Sequence, residues 1–79
     1  MAYSMHKVVI GKRQILRELR NNNVAEITIA TDAETQYITS LIEQAKLHGV
    51  TYRLRGTMNE IAAEFGIEVP SGAVGVLKV

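Results

Sequence analysis

A chain of 79 residues without cysteine makes one domain, residues 1–79, and excludes a disulfide scaffold or a Cys-based zinc or redox site. Its formal net charge is +1 and 47% of its residues are hydrophobic, yet no apolar run nears the roughly 20 residues that span a bilayer. Met1-Ala2-Tyr3-Ser4 does not open a signal peptide, so a cytoplasmic protein with no membrane partner is expected.

Lys7-Val8-Val9-Ile10 reads as a short extended entry, and Gly11 marks the change from strand period to helix period. The helix that follows turns Ile15, Leu16 and Leu19 inward. Arg13, Arg17 and Arg20, spaced i, i+4, i+7, form a separate stripe facing solvent. Asn21-Asn22-Asn23 ends this helix, because Asn tolerates left-handed backbone. Val24 to Ala30 is β-rich and reads as a buried strand. Thr31 is expected to cap a second helix, with Ile38, Leu41, Ile42 and Ala45 inside and Gly49 as its stop. Val50 to Leu54 reads as a second core strand. Thr57 opens a third helix, lined by Met58, Ile61, Ala62 and Phe65 and ended by Gly66. Ile67 to Gly72 is a loop, and Ala73 to Val79 the last strand. Helices alternating with strands predict an α/β fold with helices on both faces of one small sheet.

The first helix begins with the wrong charges for its dipole. Helix amino-termini carry unpaired N–H groups and partial positive charge, and so attract acids and side-chain oxygens. Here Gly11 offers no capping oxygen, and Lys12 and Arg13 follow it. Thr31-x-x-Glu34 and Thr57-x-x-Glu60 both read as capping boxes, which leaves the first helix alone as open. An anion or a guanine edge would complete such a start. Charge is divided the same way along the chain. Residues 1–20 hold five basic side chains against one acidic, a net of +4, and residues 21–79 hold four against seven, a net of −3. That division suits one face to a polyanion; solvated surface charge is the plainer alternative.

Other residues carry less. His6 and His48 have no metal-ligand spacing. Asp32 suits a helix entry better than catalysis, and Tyr3, Tyr37 and Tyr52 are scattered rather than paired for stacking. No Ser/His/Asp or Cys/His set is present. A protein without enzymatic activity, needing no cofactor or metal, is expected. Ile67 and Val69 are the apolar anomaly of a Pro- and Gly-bearing loop: either they are partly exposed for a ligand or they fold back onto the third helix.

Three segments together resemble the ribosomal-type RNA-binding proteins of the L-seven-Ae and L-thirty-e family. They are Gly11-Lys12-Arg13-Gln14-Ile15-Leu16-Arg17, Ile29-Ala30-Thr31-Asp32-Ala33-Glu34 and Gly66-Ile67-Glu68-Val69-Pro70. The similarity runs from Val8 to Val79. It implies a three-layer α-β-α sandwich with a small central mixed sheet, and binding of kink-turn RNA with sheared G·A pairs and an extruded nucleotide. By position, Gly11, Lys12, Arg13, Gln14, Arg17 and Arg20 would meet the RNA, with Arg13, Gln14 and Arg17 at the guanines. Glu34, Ile67 and Val69 would surround the extruded base, with Glu68 and Pro70 as RNA-binding residues of the same loop. The family's Asn-Glu is Arg13-Gln14 here and its Thr-Lys is Leu16-Arg17, replacements that resemble its short bacterial members. A monomer is expected, with the ribosome as one setting for such RNA. A protein-interaction module on the same fold, its arginines meeting an acidic partner, is the alternative.

Overall fold

The structure is a computed structural model and describes residues 7–68 and 70–78. Its elements alternate as β1 (Val8–Ile10), α1 (Lys12–Arg20), β2 (Val24–Ile29), α2 (Thr35–Leu47), β3 (Thr51–Leu54), α3 (Met58–Phe65) and β4 (Ala73–Leu77). The four strands form one mixed sheet in the order β1-β4-β2-β3. β4 runs antiparallel to both its neighbours, pairing Ile10 with Val74 and Ile27 with Gly75. β2 and β3 run parallel, with α2 as the crossover between them.

One apolar set lies on each face of the sheet. Ile15 and Leu19 of α1 and Leu41 and Ala45 of α2 are buried against Val24, Ile27, Ile29 and Ala73. On the other face Ile61 of α3 packs with Ala30 and Val74, and Val8, Met58, Phe65 and Ile67 close around them. The chain is therefore a three-layer α-β-α sandwich. Val24 joins Ile27 and Ile29 on the same face although strict alternation would place Ala25 there. The pairing of β2 with β4 slips between Val24 and Glu26, and a bulge of that kind turns one residue over to the other face. Gly75 lets α1 approach closely: a Cβ there would stand 3.1 Å from Ile15 Cγ1 and 3.2 Å from Val9 Cγ2.

Two expectations fail. Among the described strands β3 is at the sheet edge, with Leu54 47% exposed, and only its half-buried Tyr52 packs against the core. Local β propensity says nothing about which strand ends a sheet. Nor does Thr31 cap α2. That helix starts at Thr35 with Glu34 as its N-cap and no side-chain cap bond, so α1 is not alone in being open. Thr31 turns instead to the β3–α3 loop, where its N–H and its hydroxyl both donate to the Gly56 carbonyl, at 2.8 and 2.9 Å. Asp32 accepts from the Met58 N–H at 3.0 Å, so it serves the entry of α3.

The Thr57 box is formed. Its hydroxyl accepts from Glu60 N–H at 3.2 Å, and the Glu60 carboxylate accepts from Thr57 N–H at 2.8 Å. Thr57→Ala should therefore lower the free energy of unfolding by about 0.5 to 2 kcal/mol, and Thr57→Ser should restore most of it. Urea titrations of the three proteins check this; an alanine variant as stable as the parent refutes the box as a stabilising feature.

Candidate nucleic-acid interface

The start of α1 is set by Gly11, whose φ of 92° lies in the positive region that residues with a Cβ rarely adopt. Its N–H donates to the Ala73 carbonyl at 3.0 Å, tying the helix entry to the first residue of β4. No side chain caps α1 and its first turn holds no acid. Arg13, Gln14, Arg17 and Arg20 are all exposed, while Ile15 and Leu19 are buried beneath them. Segregation of apolar and cationic residues around the helix places the stripe outward, as its spacing predicts.

Lys12, Arg13, Leu16 and Arg20 line a surface depression of about 410 Å³. Three cations around one aliphatic side chain suit a ligand with both negative charge and an apolar face. Among the described residues no carboxylate pairs with Lys12, Arg13 or Arg20. Arg17 lies 3.7 Å from Glu18, with the Arg side chain 66% exposed, a geometry worth little in water. A second depression, of about 320 Å³, lies at Arg55, Gly56, Glu60, Ile61 and Glu64. Its two carboxylates, one of them 3.4 Å from Arg55, make it a poor seat for a polyanion.

The other site residues expected from the sequence converge in part on the α1 entry. The Ala30 N–H donates to the Gly72 carbonyl at 2.8 Å, so the end of β2, the start of α1 and the segment before β4 meet at one end of the sheet. Glu34 is exposed at the head of α2, and Glu68 and Pro70 are exposed in the loop. Arg20 is about 12 Å further along the α1 axis than Lys12, which makes it a flank of the site. Ile67 takes the folded-back alternative: it is half-buried against Ala30, Ile61 and Val74. Its N–H donates to the Ala62 carbonyl at 2.9 Å, behind Gly66 at φ 68°, as in a left-handed helix stop with its hydrophobic contact. Val69 lies outside the described residues, as do Val79, His6 and Tyr3.

Tyr37 is the member that sequence reasoning missed. It stands on the first turn of α2 with Lys12 Nζ 5.7 Å from its ring centroid. Burial pushes its phenol above the ordinary value, against a hydrogen bond from the Lys12 backbone that pulls it down. Twenty-five positions separate the two residues, and no local pattern links them. Among the described residues no three acidic or histidine side chains gather as a metal site, and no helix is long and apolar enough to cross a membrane.

The chain is an α-β-α sandwich whose first helix starts without a side-chain cap and with Lys12 and Arg13 in its first turn. Over 70 residues, 89% of this chain and 85% of the relative, the sequence is 30% identical to a Bacillus pumilus protein named RNA-binding protein. The chain belongs to that protein's family. A Caldanaerobacter subterraneus subsp. tengcongensis protein, also named RNA-binding protein, is 33% identical over 63 residues, 80% of this chain and 77% of its own. The Giardia lamblia 15.5kD RNA binding protein superimposes with a TM-score of 0.87 at 20% identity, covering 98% of this chain and 65% of that one, which shows the shared fold. No protein-family model matches the chain.

Proposed function

We propose that this protein binds structured RNA without catalysing a reaction, and that its target is a kinked duplex of the kink-turn type with sheared G·A pairs. The carrying observation is the exposed stripe of Arg13, Arg17 and Arg20 beside Gln14, on a helix whose first turn has neither acid nor cap. Relatives named RNA-binding protein support the ligand class. The chemistry favours a distorted RNA. Arginine donates bidentately to guanine O6 and N7, and a Gln carbonyl accepts from guanine amino or imino groups. A regular A-form major groove is too narrow to admit them, so the guanine edges must be opened by a kink or bulge. Glu34, exposed at the head of α2, then borders the place for an unstacked nucleotide beside the exposed loop residues Glu68 and Pro70.

Titration against a kink-turn RNA and against the same RNA with its G·A pairs replaced tests the reading; equal affinity for both refutes kink recognition. Arg13→Ala should cost about 1 to 3 kcal/mol on the kinked RNA and shrink the preference between the two. Arg20→Ala, at the far end of the helix, should weaken both alike. An equal loss on both RNAs from Arg13→Ala would show a phosphate contact only.

A further inference from the structure

Tyr37 joins the head of α2 to the start of α1 and to the segment before β4. It belongs to the first turn of α2. Its ring lies under the Lys12 ammonium at 5.7 Å, within the distance over which an aromatic face attracts a cation. The ring also fills the space above Gly72, where a Cβ would stand 2.8 Å from Cε1 and 3.0 Å from Cζ. Gly72 is itself pinned to β2 through Ala30. Only a residue without a side chain admits the ring at that distance, so the size of position 72 and the identity of position 37 are matched.

Resting on the RNA reading above, we infer that Tyr37 is a positioning residue of the interface, which holds the Lys12 ammonium in register with the segment before β4. A lysine on a four-carbon stem samples many rotamers in solution. Seated on a ring that is itself packed against Gly72, it meets a phosphate with less ordering left to do, and preorganisation of that kind raises affinity without adding a contact. Tyr37 acts through Lys12 and needs no contact with RNA.

A double-mutant cycle on the kink-turn RNA tests this, using Lys12→Ala and Tyr37→Leu at one salt concentration. Lys12→Ala should weaken binding about tenfold in the parent and less than about twofold in the Tyr37→Leu background, because the second change has already released the ammonium. Tyr37→Phe keeps the ring and should retain most of the coupling. Proton NMR supplies a readout without RNA: the Lys12 ε-methylene should be shifted upfield by the ring in the parent and in Tyr37→Phe, and lie at its free position in Tyr37→Leu. If Tyr37→Leu does not fold, Gly72→Ala takes its place in the cycle and in the spectra, since its Cβ would stand 2.8 Å from the ring and displace it. Additive losses, or an unshifted Lys12 ε-methylene in the parent, overturn the positioning role while leaving RNA binding intact. A parent chain that binds no RNA overturns the RNA reading itself, and with it any part for Tyr37 in RNA binding, whatever the spectra show.

Discussion

Ile15→Ala should lower the free energy of unfolding by about 2 to 5 kcal/mol, the range for truncating a fully buried isoleucine where the surroundings relax only in part. Ile15 is 0% exposed. It is the residue through which α1 grips the sheet, its Cγ1 resting over Gly75 at the distance that a Cβ there would contest. Removing three carbons leaves a void over a glycine, which has no side chain to move into it. A domain of this length commonly has about 4 to 12 kcal/mol in all, so the loss is a large share of the total. Urea denaturation followed by circular dichroism measures it, and a loss under about 1 kcal/mol would mean that α1 is anchored elsewhere. Because Ile15 lies on the inner side of the turns that present Arg13 and Arg17, binding by the variant should be measured on its folded fraction. A stability effect of this size otherwise passes for a lost contact.

What was legible in the sequence is what short-range physics decides. Helical spacing of Ile15 and Leu19 against Arg13, Arg17 and Arg20 fixes which side of α1 faces water, and the structure follows it. Asn22 at φ 58° and glycines 49 and 66 at φ 68° end their helices where left-handed backbone was expected. The Thr57 box is local too. Thr31-x-x-Glu34 has the same spelling, yet Thr31 is drawn to the Gly56 carbonyl by the close approach of the two parallel strand ends, a tertiary contact that outcompetes the local cap. Strand order was not legible, since the sequence of β3 does not record that, among the described strands, β2 is its one neighbour. The site divides along the same line. Its cations announce themselves by charge and spacing, whereas Tyr37 gains its place from α2 crossing behind α1, and Ile67 loses some of its exposure because the far face of the sheet needed cover.

Binding to the kinked RNA should fall steeply with salt. Lys7, Arg13, Arg17 and Arg20 are exposed and Lys12 is half-buried at the edge of the depression. With about four to five phosphates neutralised, log K should decline with log salt at a slope of about −3 to −4.5, bracketed by single- and double-stranded behaviour. Between about 50 and 200 mM salt that is a loss of about 60- to 500-fold. The net charge of +1 would suggest a much weaker dependence. The difference lies in where the charge sits: counterions are released by the cations that reach phosphate, and the seven acids beyond residue 20 belong to other elements than α1. Arg20→Ala should make the slope shallower by about one, as one phosphate contact is lost. Fluorescence anisotropy with a labelled RNA at four salt concentrations and constant pH gives both slopes. A slope near zero would remove the electrostatic footprint, and tight salt-resistant capture of a protein with no affinity for structured RNA would favour the interaction-module alternative, in which the arginines meet an acidic partner and apolar contact carries the affinity.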